Sequence, residues 1–184
     1  ASLDRDTILQ EAVKRAERRL EGYPDVLARV KLQVADTYMI MQKYEQAGVL
    51  LEQAAADLDG LEGDHHQLGG RIHLARANSI SRMSSRPENQ EAALTHYRAA
   101  LSLLDPVRDT DEWRMAKRHY SAFLLRQGRP DEGLREVEEG AAGCEPGSAD
   151  FECIMLLRQR ASTLQSLSRP AESLPLYEQA VESL

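Results

Sequence analysis

The sequence has no uninterrupted hydrophobic run close to the roughly 20 residues that a membrane-spanning helix needs. It also has no recognisable signal peptide. The chain opens Ala1-Ser2-Leu3 without an initiator methionine, which indicates a processed or excised piece, so anchors or targeting signals can have been removed with the flanks. We therefore predict no membrane span in this segment and leave its compartment open.

The sequence is poor in cysteine and in aromatic residues, with two cysteines and 5% Phe, Trp and Tyr. Two cysteines cannot form a disulfide scaffold, so the fold must depend on burial of apolar side chains. Hydrophobic residues make up 42% of the 184 positions, which suits one domain with a sizeable core.

Positive charge is in the minority, and chemical motifs are missing. The 23 Lys and Arg against 30 Asp and Glu give a net charge of −7, which argues against nucleic acid as a partner because phosphate neutralisation needs the opposite sign. The sequence contains no phosphate-binding glycine loop, no kinase motif and no closed set of metal ligands. We expect a chain that is not an enzyme, with no cofactor and no metal site.

A pattern of a small residue, a large residue four later and a small residue three later occurs four times. These intervals place the three side chains on one stripe of a helix, where small residues let a neighbouring helix approach closely. The four copies are Ala47/Leu51/Ala54, Ala93/Tyr97/Ala100, Gly133/Val137/Gly140 and Ser173/Tyr177/Ala180.

Upstream of most copies lies a second helical pattern, such as Ala35/Tyr38 or Ser121/Leu124. A Ser- or Gly-containing break with proline separates the two patterns in the last three copies, and proline suits the first position of a helix. We therefore predict helical hairpins that follow an N-terminal helix at 1–22, which is a half-repeat or a cap. The four predicted hairpins cover about 25–58, 67–105, 111–145 and 150–184.

This pattern resembles the tetratricopeptide repeat (TPR), a helix pair with small residues at its crossing. The anchor residues Ala47, Ala93, Gly133 and Ser173 are spaced by 46, 40 and 40 residues, so the copies look longer than the common repeat of about 34. The resemblance implies an all-α chain, a right-handed superhelix of antiparallel helix pairs, whose first helices line a concave groove that binds protein or peptide.

Charge is distributed unevenly between the two helices of each predicted hairpin. In hairpins two to four, Lys and Arg outnumber Asp and Glu in the first helices, and the reverse holds in the second helices. The resemblance thus implies a basic groove inside an acidic shell, with arginines free for an acidic partner. The alternative is that these charges pair between neighbouring helices. The predicted groove residues are Arg29, Met39, Arg82, Arg118, Leu125, Arg126, Arg158 and Gln165.

Cys144 and Cys153 flank the Pro-Gly turn between the third and fourth hairpins. They are either two free thiols in a reducing compartment or a disulfide, which would favour an extracytoplasmic site.

A narrower resemblance rests on the runs Ile8–Leu20, Tyr23–Tyr38 and Tyr44–Ala47. They look like the entry into the TPR sensor region of bacterial eukaryotic-like serine/threonine kinases. This resemblance implies a protein- or peptide-binding sensor on the extracytoplasmic (periplasmic) side of a transmembrane kinase, and the alternative is a cytoplasmic scaffold or a transcription-regulator repeat domain. The last helix has no polar cap, so we expect the protein to continue or to self-associate through this C-terminal end.

Overall fold

The computed structural model describes residues 4–145 and 147–183, which contain helices and no strand. The all-α prediction is confirmed. The last residue of the predicted hairpin 150–184 and the first three of the predicted helix 1–22 lie outside these ranges. The helices are α1 (Arg5–Arg19), α2 (Pro24–Ile40), α3 (Tyr44–Leu58), α4 (His66–Met83), α5 (Pro87–Leu103), α6 (Thr110–Arg126), α7 (Pro130–Gly140), α8 (Phe151–Ser166) and α9 (Pro170–Glu182).

The chain divides into two compact units at Leu103 and Leu104. Unit 1 holds α1 and the helix pairs α2–α3 and α4–α5, with α3 also packed against α4. Unit 2 holds the pairs α6–α7 and α8–α9, with α8 packed against both α6 and α7. Each unit is therefore built from helix pairs of the α-solenoid type.

The core of unit 1 forms where α2 crosses α3 on alanines. Ala35, Ala47 and Ala54 are fully buried, and the large side chains Tyr38 and Leu51 fill the space beside them. The small residues let the two helix backbones approach closely, as the repeat pattern requires. Helix α1 covers this core thinly, because Val13 is its one buried residue among those described.

A buried lysine fastens the three helices of unit 1 that contribute to this core. The Nζ atom of Lys31, on α2, lies 2.8 Å from Oδ2 of Asp57 on α3 and 3.7 Å from Oε1 of Glu17 on α1. A buried charge is tolerated only when it is paired, so these carboxylates explain why a lysine can face the core here.

The crossing of unit 2 is built on glycine. A Cβ atom added at Gly140 would lie 2.8 Å from Cβ of Lys117 and 3.0 Å from Cδ2 of Leu156, so α7 approaches both α6 and α8 too closely for any side chain. Leu134, Val137, Leu156 and Leu164 form the adjoining hydrophobic core.

The second helices of unit 2, α7 and α9, begin with the same local structure: a proline at the first position and an Arg–Glu ion pair. Pro130 opens α7 and Pro170 opens α9, where the missing N–H costs no hydrogen bond. The preceding Arg129 donates two hydrogen bonds of 2.6 Å to Glu132, as Arg169 does to Glu172.

None of the helices described is long and apolar enough to cross a membrane.

Candidate interaction surfaces

Two arginines of α6, Arg114 and Arg118, face acidic residues at the start of α8. Nε and Nη2 of Arg118 donate hydrogen bonds of 3.0 and 3.3 Å to the carboxylate of Glu152, and Nη1 of Arg114 lies 3.6 Å from Oδ2 of Asp150. The prediction that Arg118 stays free for a partner is therefore wrong. Its acidic partner comes from the neighbouring first helix rather than from a second helix.

Two other basic residues of the first helices pair with α7. Nζ of Lys117 donates to Oε2 of Glu136 at 2.6 Å and to Oε2 of Glu139 at 2.7 Å. Nη2 of Arg160 lies 3.0 Å from Oε1 of Glu138. Burial lowers the pKa of Lys117, but hydrogen bonds to the two glutamates outweigh this effect and raise the pKa overall. For these residues the structure has the helix-to-helix pairing that the sequence left as an alternative.

Two of the predicted groove arginines in unit 2 are exposed and lack a carboxylate partner among the described residues. Arg126, in the last turn of α6, and Arg158, on α8, have no carboxylate partner among the residues that the structure describes. Nη1 of Arg158 donates to the thioether sulfur of Met155 at 3.6 Å. Leu125 is half-buried and Gln165 is exposed.

Residues three, four or seven positions apart lie on one stripe of a helix, so Met155, Arg158 and Gln165 share a stripe of α8. Helices α6 and α8 pack against each other, so their stripes border one surface. We call the following set the α6–α8 surface: Leu125, Arg126, Met155, Arg158 and Gln165.

The groove residues predicted in unit 1 are two exposed arginines and one half-buried methionine. Arg29 and Arg82 are exposed, without a carboxylate partner in the described part of the chain. Met39 is half-buried and packs against the hydrophobic core of unit 1, and its place in the groove stays a prediction. Burial raises the pKa of Asp36 on α2, and the charge of Arg71 on α4 opposes that rise. We call Arg29, Asp36, Arg71 and Arg82 the α2–α4 surface.

A pair of histidines joins α4 to α5 on another face of unit 1. Nδ1 of His73 lies 2.9 Å from Nδ1 of His96, so the N–H of one ring donates a hydrogen bond to the unprotonated nitrogen of the other. Burial, the charge of Arg76 and the neighbouring His73 lower the pKa of His96 to about 4, and burial and Arg76 lower that of His73. Sequence reasoning missed this pair, because the two residues are 23 positions apart and belong to different helices.

Cys144 and Cys153 form a disulfide in the structure, with their Cα atoms 5.6 Å apart. The bond ties the end of the α7 region to the first turn of α8. In the same turn, the carboxylate of Asp150 caps α8 by accepting a hydrogen bond of 2.9 Å from the backbone N–H of Cys153. The residues that pair with α6 are thus held in place by a cap and a covalent bond.

Within 4–145 and 147–183, no group of three or more His, Cys, Asp and Glu side chains is placed to hold a metal ion.

The arrangement of helix pairs is shared with solved structures. BtubC (BKLC) from P. vanneervenii matches 97% of this chain over 71% of its own length, with a TM-score of 0.75 and 13% sequence identity. YrrB, described as a TPR protein with an unusual peptide-binding site, matches 97% of this chain over 79% of its own, with a TM-score of 0.59 and 17% identity. The chain has a TPR-like fold. Neither a family model nor a curated protein sequence matches it.

In TPR terms, α2, α4, α6 and α8 are the first helices of their pairs, and α3, α5, α7 and α9 are the second helices. Both named surfaces therefore belong to first helices, which are the helices on which the sequence analysis placed the groove.

Proposed function

We propose that this chain is a protein- or peptide-binding module of a larger protein. The TPR-like fold supports this function, because it exposes helix surfaces without any catalytic constellation among the residues described. The observation that carries the proposal is a division among the basic residues of the first helices. Arg114, Lys117, Arg118 and Arg160 are paired with carboxylates, whereas Arg82, Arg126 and Arg158 are exposed without one.

The proposed ligand is an acidic peptide or the acidic surface of a protein. An arginine offers a planar fork of donors that matches a carboxylate in two-point hydrogen bonding. On the α6–α8 surface, Leu125 is adjacent in sequence to Arg126, and Gln165 lies two turns along α8 from Arg158, so apolar and amide groups accompany these arginines. Such a surface selects ligands by charge and by shape together.

The narrower role, as sensor of a transmembrane serine/threonine kinase on the periplasmic side, remains a prediction from the sequence resemblance alone. The cytoplasmic scaffold and the transcription-regulator domain remain its alternatives. A kinase domain and a membrane span in the full-length gene would separate them.

A display library of short random peptides, selected on the chain, tests the proposed function. We expect enriched peptides to be rich in Asp and Glu, and their binding to weaken between about 50 and about 300 mM salt, since exposed charges are screened over roughly 10 Å or less. Arg126→Ser with Arg158→Ser should abolish capture if the α6–α8 surface binds, and Arg29→Ser with Arg82→Ser if the α2–α4 surface binds.

Arg118→Ser is the matched control, because it removes an arginine from the same helix face but one that is already paired with Glu152. It should lower the stability of unit 2 by about 1–3 kcal/mol through the unpaired glutamate, and leave capture intact under folding conditions. Loss of capture in Arg118→Ser, with both double variants binding normally, would contradict the proposed function.

A further inference from the structure

An open cleft of about 400 Å³ lies between α3 and α4 in unit 1. Positions three or four apart lie on one stripe of a helix, and the lining of the cleft follows this spacing. The lining includes Glu52, Ala56 and the C-cap residue Asp59 on the α3 side, and Ile72, His73 and Arg76 on the α4 side. Small-molecule sites have volumes of roughly 300–1,000 Å³, so the cleft is large enough for a small ligand.

Arg76 brings a positive charge to this cleft without an internal counterion. The residue is half-buried, yet it has no carboxylate within ion-pair distance among the described residues. In contrast, the buried Lys31 of the same unit pairs with Asp57, and the buried Lys117 of unit 2 pairs with two glutamates. A charge withdrawn from water is stabilised by a partner of opposite sign. An anionic group of a ligand in the cleft would supply that partner to Arg76.

His73 adds a polar group to the same wall without adding a second positive charge. Burial and the charge of Arg76 lower the pKa of His73, so its ring is uncharged at neutral pH. The contact of 2.9 Å between its Nδ1 and Nδ1 of His96 holds the ring in place. Arg76 acts on the pKa of both histidines, which puts its guanidinium group near the pair.

The rest of the lining offers negative charge and apolar contact. Glu52 and Asp59 are exposed, and neither has a basic partner among the residues that the structure describes. Ile72 is 1% exposed, and Leu58 packs half-buried against the same core. Arg76 disfavours a metal ion here, and the two carboxylates disfavour a polyanion. A small molecule with one charge of each sign and an apolar group matches the whole lining.

We propose that this cleft binds a zwitterionic α-amino acid with an apolar side chain. The ligand carboxylate pairs with Arg76, whose planar fork of donors suits two-point hydrogen bonding. The ligand ammonium group pairs with Glu52 or Asp59, and the apolar side chain lies against Ile72 and Leu58. The lining residues belong to neither the α2–α4 surface nor the α6–α8 surface, so the test of this site does not depend on the proposed function.

Isothermal titration calorimetry of the full chain with L-leucine and L-phenylalanine tests the site. Two analogues of leucine each lack one charge: 4-methylpentanoate has no ammonium group, and 3-methylbutylamine has no carboxylate. We expect saturable binding of both amino acids with dissociation constants of about 10 μM to about 1 mM. Each analogue should bind at least about tenfold more weakly, because it leaves one charged group of the cleft without its partner.

Three variants locate the ligand in the cleft. Arg76→Gln should weaken leucine binding more than about tenfold, and Glu52→Gln with Asp59→Asn should weaken it roughly three- to tenfold, since exposed carboxylates are better screened. Ala56→Phe places a ring in the cleft from an exposed position and should block binding with every charge retained. Arg98→Gln is the matched control: it removes an exposed arginine of α5 that does not line the cleft, and leucine binding should be unchanged.

NMR of the ¹⁵N-labelled histidine rings locates the ligand independently of these variants. On addition of leucine, the ring signals of His73 should shift, because the bound carboxylate lies beside Arg76. The signals of His65, which does not line the cleft, should keep their positions.

Absence of saturable binding up to about 10 mM amino acid would overturn the proposal. Binding that survives both Arg76→Gln and Ala56→Phe would also overturn it, since the ligand would then lie elsewhere. Equally tight binding of 4-methylpentanoate and leucine would make the cleft a simple carboxylate site and exclude the zwitterionic ligand. Circular dichroism melts verify that the variants fold, and Ala56→Phe keeps the test decisive if Arg76→Gln lowers stability.

Discussion

The two units use the same helix-pair pattern but fasten their helices with different contacts. In unit 1, α2 and α3 cross on alanines, a buried lysine joins three helices, and a histidine pair joins α4 to α5. In unit 2, the crossing rests on glycine, four basic side chains pair between helices, and a disulfide closes the α7–α8 connection. The small-residue stripe therefore sets the backbone architecture, and the contacts between neighbouring helices are particular to each unit.

Loss of the disulfide should have the largest effect, and only on unit 2. Cys144→Ala with Cys153→Ala opens a loop with a sequence separation of 9, which chain entropy converts to about 2–3 kcal/mol. Amide hydrogen exchange should become faster in α7 and α8 and stay unchanged in α2 and α3. Equally faster amide exchange in both units would contradict the prediction that the disulfide stabilises unit 2 alone.

The redox state of the native protein is checked separately. If the domain lives outside the cytoplasm, alkylation of material from its native compartment should label Cys144 and Cys153 only after a reductant is added. Two thiols that react at once would exclude the disulfide in that compartment.

Adding a methyl group to a helical glycine should have opposite signs in the two units. Gly140→Ala forces Cβ to within 2.8 Å of Lys117, and we expect a net loss of about 1–2 kcal/mol. Gly48→Ala in α3 meets only the Ser79 hydroxyl, at 3.8 Å, so the gain in helix propensity should stabilise unit 1 by about 0.5–1 kcal/mol. Denaturant midpoints measure both. A stabilised Gly140→Ala variant would disprove the close packing of α7.

Mild acid should weaken unit 1 through the histidine pair. The pKa of His96 is about 4 in the folded chain and about 6.5 when unfolded, so the unfolded state takes up the proton first. The stabilisation is complete above pH 6.5 or so and declines as the pH falls toward about 4. Allowing for partial exposure, we expect a loss of about 1–2 kcal/mol. His96→Gln should flatten this part of the pH profile of unfolding, and an unchanged profile would rule out the buried pair.

The helix pairs were predictable from sequence because their signals are local. The stripes around Ala47 and Gly133 fall within two helical turns, and the prolines before α7 and α9 mark helix starts. The second hairpin was harder to align, since Ala75, Ala77 and Ser79 are all small and buried in α4. In the structure, Ser79 is the residue that contacts the start of α3. Its hydroxyl donates a 2.7 Å hydrogen bond to the backbone carbonyl oxygen of Tyr44.

Which charged side chains form ion pairs was not predictable from local sequence signals. Arg118 and Arg158 are equivalent residues in successive repeats, yet one is paired and the other is exposed. The difference depends on Glu152, which is 34 positions from Arg118 and meets it only because α8 packs beside α6. Overall charge counts over helices therefore indicated a basic surface but not which arginines remain available.

The division between paired and exposed arginines is tested most directly by NMR of the arginine side chains. The Nε–Hε signals of the ¹⁵N-labelled chain are followed while an acidic peptide from the display selection is added. We predict that Arg126 and Arg158, or Arg29 and Arg82, shift progressively, and that Arg114 and Arg118 keep their positions. Shifts confined to Arg114 and Arg118, which would require the ligand to displace Asp150 and Glu152, would contradict the account.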